Sequence, residues 1–88
     1  MVIEVKNEEI KLEHIYQARK YAELFDAKFA FLISTEEIPE EIKRLARVVN
    51  YLLSLPAYRR LTLIQFSEKI NALTDWCPEN PFENKYFW

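Results

Sequence analysis

The chain contains no glycine, a single cysteine and no long apolar run, and each of these absences excludes a class of structure. Without glycine there is no glycine-rich loop to hold a phosphate, and no turn that depends on glycine's freedom at positive φ. The lone Cys77 excludes an internal disulfide and a multi-cysteine metal site, and it suits a reducing compartment. No apolar stretch reaches the roughly 18 residues that a membrane span requires, and Met1 leads directly into a strand-like segment instead of a signal peptide. We therefore expect a cytoplasmic protein with no membrane partner.

A large charge of one sign is also lacking, because 12 basic and 14 acidic side chains leave a net charge of −2. No global basic field attracts nucleic acid, so any such binding has to come from a local patch. Apolar residues, in contrast, make up 50% of the 88 residues, and aromatic residues 15%. A domain this small is near the lower limit of what one core stabilises. We expect it to form a homo-oligomer, in which a second copy helps to cover the sheet.

Residues 1–34 carry the pattern of a βαβ unit. Residues 1–6 are rich in β-branched side chains and predict a strand. Asn7 is the predicted N-cap of a helix that runs to about Phe25, with apolar residues on one arc of the helical wheel. Residues 28–33 form a near-continuous apolar run, which fits a strand buried on both faces of a parallel sheet.

Residues 35–76 predict a second helix followed by a C-terminal β-hairpin. The helix opens at Pro39, and its apolar stripe continues to Leu55. Residues 61–66 have the composition of a strand, and a short polar turn leads to a second strand over residues 70–74. A short helix in place of that second strand is the alternative interpretation.

Residues 77–88 form a tail with two prolines and an unusual density of aromatic side chains. We expect this tail to pack on its own domain or on a partner chain. The whole pattern predicts one domain of the α/β class: a small mixed sheet built on a βαβ unit, followed by a second helix and a C-terminal hairpin.

Glu4 and Lys6 are separated by one residue on the first predicted strand, so both side chains point to the same face. The Glu4 carboxylate can hold a hard cation such as Mg²⁺, and the Val5 carbonyl is a natural second oxygen ligand. Lys6 could orient a water molecule or stabilise charge on a phosphate. The structural alternative is a surface charge pair with no chemistry.

Gln17 and Tyr21 lie four residues apart on the first predicted helix, so their polar ends can reach the same patch. With the helix beginning near Asn7, Gln17 and His14 fall inside the apolar arc of the helical wheel. A glutamine on a packed face has to find hydrogen-bond partners. The structural alternatives are a buried glutamine bonded to a loop carbonyl, a core tyrosine, and a histidine satisfied at the edge of the core.

Taken together, Glu4-Val-Lys6 on a strand and Gln17-x-x-x-Tyr21 on the next helix resemble the PD-(D/E)xK nuclease superfamily. The second element resembles the exonuclease branch typified by the RecB nuclease domain. The resemblance covers roughly residues 2–34 and implies a restriction-endonuclease-like half-domain with a central mixed sheet. It also implies that Glu4 and Val5 are ligands of Mg²⁺, that Lys6 is the catalytic lysine, and that Gln17 and Tyr21 lie near the DNA or the metal.

The family has a further acidic residue on a strand before the Glu-x-Lys strand, and only three residues precede Glu4 here. The two aspartates of the chain, Asp26 and Asp75, come too late in the sequence for that position. Three explanations stay open: the chain is a piece of a nuclease, a partner supplies the acid, or the chain is a degenerate homologue. As part of a longer protein or complex it would be a magnesium-dependent deoxyribonuclease.

The second half of the chain contains a basic cluster that could contact a phosphate backbone. The candidate DNA-binding residues are Lys43, Arg44, Arg47, Arg59 and Arg60. The structural alternative is the solvated face of an amphipathic helix, balanced by the acidic residues at its start. The sequence thus predicts a nuclease-like, nucleic-acid-associated protein that is inactive as an isolated chain, or, from another class, a small dimerisation or interaction domain without chemistry.

Overall fold

A computed structural model describes residues 1–49, 51–56, 59–80 and 82. These residues form two helices and five strands: β1 (Val2–Lys6), α1 (Leu12–Leu24), β2 (Ala30–Ser34), α2 (Glu40–Val48), β3 (Ser54–Leu55), β4 (Arg59–Ser67) and β5 (Ala72–Cys77). Neither of these helices is long and apolar enough to span a membrane.

The strands form one mixed sheet in the order β1-β2-β4-β3, with β5 also paired to β4. The pairs β1–β2 and β2–β4 are parallel, whereas β3 and β5 each run antiparallel to β4. The predicted βαβ unit and C-terminal hairpin are therefore both present, and the α/β class is confirmed. The helical alternative for the last element is wrong, because residues 72–77 pair with β4.

Both helices pack on the same face of the sheet. Side chains alternate between the faces of a strand, and the alternate residues Leu61 and Leu63 of β4 belong to the same buried cluster as Ile15 of α1 and Ile42 of α2. Leu32 of β2 lies in the same cluster and is fully buried. The main core is thus one layer of helices against one face of the sheet.

The opposite face of the sheet carries no described helix, and its apolar side chains are covered unevenly. Phe31 is buried in its centre, whereas Ile3 and Val5 on β1 are 54% and 63% exposed. From the tail, Phe82 packs on this face with its ring centroid 5.8 Å from those of both Phe29 and Phe31. The tail therefore packs on its own domain through Phe82, and residues 83–88 lie outside the described residues.

The first helix begins later than the sequence predicts. It starts at Leu12 with Lys11 as its N-cap, so the prediction of Asn7 as N-cap is wrong. Ile10 lies before the helix, although its side chain is only 1% exposed. Because Ile10 does not belong to the helical wheel, the buried arc shifts away from Gln17, which is exposed.

The second helix ends earlier than the sequence predicts. Its last residue is Val48, and Val49 already has an extended backbone at φ −100° and ψ 90°. The apolar residues that continue the helical stripe, Leu52 and Leu53, reach the core from a turn, and Leu55 from the short strand β3. The adjacent β-branched residues Val48 and Val49 weaken the end of the helix, and the leucines that follow are buried without being helical.

Short polar residues occupy the positions where the backbone requires positive φ. Asp26, Asn71 and Asp75 have φ values of 49°, 52° and 54°. Asp26 ends α1: its N–H bonds to the Glu23 carbonyl at 3.1 Å, and the Ala27 N–H bonds to the Ala22 carbonyl at 2.9 Å. This is the bonding of a Schellman motif, in which glycine is the usual residue.

Candidate functional site

Glu4 and Lys6 lie side by side on the helix-bearing face of β1. Val2 shares that face and packs against the core cluster, so the charged side chains point towards the helical layer. The Lys6 Nζ lies 4.0 Å from the Glu4 Oε2, and the two side chains are 28% and 22% exposed. This is a loose ion pair in contact with solvent, and such pairs contribute about 0–1 kcal/mol to stability.

The predicted magnesium ligands Glu4 and Val5 lie beside a cationic side chain, and their role as ligands stays a prediction. A hard divalent cation needs several oxygen ligands, and the charged partner of Glu4 is the Lys6 ammonium, which repels a cation. The Val5 carbonyl points to the outer edge of β1, because the alternating backbone groups of Val2 and Lys6 bond towards β2. Across the part of the chain that the structure describes, no three His, Cys, Asp or Glu side chains converge as a metal site.

Gln17 and Tyr21 lie on α1, the helix that follows β1. Gln17 is exposed and Tyr21 is half-buried. No hydrogen bond or ion pair within the described residues joins either side chain to Glu4 or Lys6. The order of the motif along strand and helix is thus present, and a role for these two residues near DNA or a metal stays a prediction.

His14 is satisfied at the edge of the core, as the structural alternative predicts. Its ring is 7% exposed. The Nδ1 atom accepts the Lys11 N–H at 3.0 Å, and Nε2 lies 3.0 Å from the Glu8 Oε1. Because Nδ1 accepts, the proton is on Nε2 and the ring donates to the carboxylate. Both ring nitrogens are occupied, so this histidine has no free atom for a ligand.

A groove of about 450 Å³ between α2 and β5 gathers three of the five predicted basic residues. Lys43 and Arg47 enter it from α2, one helical turn apart, and Arg60 enters it from β4. We call it the basic groove; its remaining lining residues are Ala46, Leu53, Asp75, Trp76, Cys77 and Pro78.

The other two predicted basic residues lie outside the basic groove. Arg44 is exposed on α2 and does not line the groove. The Arg59 side chain is 17% exposed and forms an ion pair with Asp26 at 3.0 Å. It also donates to the carbonyls of Pro56 at 2.8 Å and Ala27 at 2.7 Å. Arg59 therefore ties the start of β4 to the turn before β2, and its guanidinium is engaged within the chain.

Charge in the basic groove is only partly neutralised. The Lys43 Nζ bonds to the Asp75 Oδ2 at 2.8 Å and lies 3.9 Å from the Glu40 Oε1. Arg47 and Arg60 have neither an ion pair nor a side-chain hydrogen bond with any described residue. Two guanidinium groups are thus available to an anion.

A β-bulge directs Asp75 towards the groove. The register of the β4–β5 ladder shifts there, so that Asp75 and Trp76 together oppose the single residue Ile64. A bulge re-aims a side chain and often has its first residue in the left-handed region, which Asp75 occupies at φ 54°. The result is that Asp75 reaches Lys43 across the groove, while Cys77 is buried at its base.

The protonation states in the groove follow from these contacts. The hydrogen bond that Lys43 donates to Asp75 raises the pKa of Lys43 above its ordinary value, against a smaller lowering by burial, so this side chain is fully charged at neutral pH. Burial raises the pKa of the Cys77 thiol, and Asp75 raises it further. Cys77 is therefore a neutral thiol near pH 7 and not a nucleophile.

Sequence reasoning found the cations of the groove but missed Asp75, Trp76 and Cys77 as members of it. Their position depends on a bulge in a long-range strand pair, which no local pattern indicates. One signal was available for two of the cations, because the spacing of four residues places Lys43 and Arg47 on the same helical face.

No protein-family model matches the chain, and no curated protein or solved structure matches it either. The resemblance to the PD-(D/E)xK nucleases therefore rests on the Glu-x-Lys and Gln-x-x-x-Tyr elements themselves. The strand β1 and the helix α1 carry these elements in that order, and the resemblance stays a prediction.

Proposed function

We propose that this chain is a nuclease-like, nucleic-acid-binding domain that does not cleave DNA as an isolated chain, and that its contact surface is the basic groove. The observation that carries the proposal is the convergence of Lys43, Arg47 and Arg60 on one groove. Cations that share a groove can follow a phosphate chain, whereas single cations on separate faces contact it one at a time.

The charge balance of the groove sets the expected strength of binding. Its three cations face the single carboxylate of Asp75, so two positive charges are in excess. Each phosphate contact contributes about −0.7 to the slope of log K against log salt concentration for a single strand, so the expected slope is about −1.4. Contacts of this kind give non-specific dissociation constants on the order of 10⁻⁴ to 10⁻⁶ M.

Single-stranded nucleic acid is the simplest probe of the groove, because it offers phosphates along a flexible chain. Trp76 borders the groove, but its ring packs edge-on to Phe82 on the helix-free face, with the centroids 6.4 Å apart. The expected contacts in the groove are therefore those of its cations with phosphates.

The proposal is tested by fluorescence anisotropy with a labelled oligothymidylate of about 15 nucleotides, a length within the range of single-strand binding sites. The variant Arg47→Ala/Arg60→Ala is expected to lose most of the binding, because it removes both unpaired cations. Arg44→Ala is the matched control, since Arg44 is exposed on the same helix outside the groove.

Asp75→Asn provides a gain-of-function test. Asparagine tolerates the positive φ of this position, and the change removes the nearer of the two carboxylates that pair with Lys43. We expect tighter binding and a salt slope steeper by about 0.7. Equal losses for Arg44→Ala and Arg47→Ala/Arg60→Ala, or unchanged binding by Asp75→Asn, would contradict the groove as the contact surface.

We also expect the purified chain not to cleave DNA in the presence of Mg²⁺ or Mn²⁺. The motivating observation is that Glu4 is paired with a lysine and no acidic group completes a metal site among the described residues. The measurement is a plasmid and oligonucleotide cleavage assay with Lys6→Ala as the control. Robust cleavage that Lys6→Ala abolishes would overturn this expectation and favour a catalytic role for the pair.

A second candidate function is a non-catalytic dimerisation or interaction domain. Exposed Ile3 and Val5, beside a strand edge that no described strand pairs with, favour it. The two functions separate in one pair of measurements, because a pure interaction domain would self-associate and show no binding of the oligothymidylate.

A further inference from the structure

The outer edge of β1 is open among the described strands. Its inner edge pairs with β2. The Val2 N–H donates to the carbonyl of Phe29, just before β2, at 2.9 Å, and the Lys6 carbonyl accepts the Thr35 N–H, just after β2, at 3.2 Å. Backbone groups alternate in direction along a strand, so Ile3 and Val5 direct their N–H and C=O groups outwards. An edge of this kind is a template for pairing with another strand.

We propose that a second copy of this chain docks antiparallel on the outer edge of β1, with the two-fold axis passing through Val5. In this register Val5 opposes the partner's Val5, and the two residues exchange both backbone hydrogen bonds. Glu4 then opposes the partner's Lys6, and Lys6 opposes the partner's Glu4. The dimer is closed and symmetric, because the same edge serves both copies.

Charge complementarity selects this register. The outward backbone groups align only when odd-numbered residues oppose odd-numbered residues. Moving the partner strand by two residues would place Ile3 opposite Val5, and Glu4 opposite the partner's Glu4. Like charges directly opposite each other destabilise a strand pair, whereas opposite charges stabilise it. In the proposed register both charged pairs take the non-hydrogen-bonded positions, where side chains are closest.

The apolar side chains of β1 agree with the same docking mode. Ile3 and Val5 are 54% and 63% exposed on the helix-free face. Pairing brings the two Val5 side chains together at the axis and extends that face into the second copy. The dimer edge is also distant in the sheet from the basic groove, since β1 and β5 lie on opposite sides of the β2–β4 pair. Dimerisation through β1 therefore does not depend on the proposed nucleic-acid binding.

Sedimentation velocity over a wide concentration range tests the proposal, with circular dichroism to verify the fold of each variant. The wild-type chain is expected to dimerise. Glu4→Gln removes both cross-copy charge pairs and should weaken the dimer about 2- to 30-fold, from about 0.2–1 kcal/mol for each pair. Glu68→Gln is the matched control, because Glu68 is an exposed acid in the turn after β4.

A charge exchange provides the second arm. Glu4→Lys and Lys6→Glu should each weaken the homodimer, because like charges then oppose each other, and an equal mixture of the two variants should form a heterodimer. A chain that stays monomeric at every concentration overturns the proposal. This is the result expected if a different partner pairs with the outer edge of β1. Tighter association of Glu4→Gln, or a dimer that ignores all three changes, overturns it as well.

Discussion

Ser34 is the last residue of β2, and its buried hydroxyl holds together the two loops that follow β1 and β2. The side chain is 0% exposed. Its Oγ donates to the Glu8 carbonyl at 2.6 Å and accepts the Glu36 N–H at 3.0 Å. We predict that Ser34→Ala is strongly destabilising for a change of one atom, because it leaves two backbone groups without partners.

The magnitude follows from the two lost bonds. A hydrogen bond contributes about 0.5–1.5 kcal/mol net, and a buried group left unpaired costs about 1–3 kcal/mol. Both bonds are only partly buried, so water can replace some of the loss, and we expect a decrease of about 2 kcal/mol in the free energy of unfolding. For a domain of this size that corresponds to a fall in Tm of about 8–16 °C.

Urea unfolding followed by circular dichroism measures the effect, which should shift the midpoint by roughly 1–2 M at an m-value of about 1–2 kcal/mol per M. Ser67→Ala is the matched control: it lies at the end of the neighbouring strand β4, and its side chain has no hydrogen bond with any described residue. Equal stability losses for Ser34→Ala and Ser67→Ala would refute the assignment of the hydroxyl as the link between the loops.

Three further predictions concern the turn residue Asn71, the side chain of Arg59 and the thiol of Cys77. Asn71 has φ 52°, so the free energy of unfolding of Asn71→Ala should be about 1–2 kcal/mol lower than that of Asn71→Gly, as measured by urea unfolding. Arg59→Ala should lower the free energy of unfolding by about 1–3 kcal/mol, because it frees two carbonyls, and should leave oligothymidylate affinity unchanged. Burial raises the pKa of Cys77 above its ordinary value of 9.0, so its thiol should react slowly with an aromatic disulfide at pH 8 until urea is added. Its contribution to stability should be complete below pH about 9 and be lost as pH rises through the folded-state pKa, a dependence that Cys77→Ala should lack.

Local patterns predict a central strand correctly where burial is uniform along the segment. Residues 28–33 form a near-continuous apolar run, and β2 is indeed buried at all but one of its positions. Residues 49–55 show where this reasoning fails. Their apolar spacing is helical, yet Val49 leaves the helix, because leucines in a turn and a short strand bury as well as leucines on a helix. The periodicity of apolar residues indicates which side chains are buried, but it does not determine whether a helix, a turn or a strand carries them.

The candidate site was predictable in part for the same reason. Lys43 and Arg47 are neighbours through helical spacing, which a sequence contains. Arg60 lines the groove from β4, a strand that is distant in sequence from the two α2 cations, and Arg59, its neighbour in sequence, is instead engaged with carbonyls elsewhere. No local pattern separates the roles of these two adjacent arginines.

The absence of glycine has a direct consequence for the basic groove. The bulge in β5 needs a residue at positive φ, where glycine would present no side chain, and this chain places Asp75 there. The carboxylate bonds to Lys43 at 2.8 Å and so removes one of three cations from competition for a phosphate. The same backbone requirement therefore fixes both the local geometry of the sheet edge and the charge of the surface beside it. Asp75→Gly would keep the geometry of the sheet edge and remove the negative charge beside it. The affinity of the groove for an anion can therefore be changed without altering the fold.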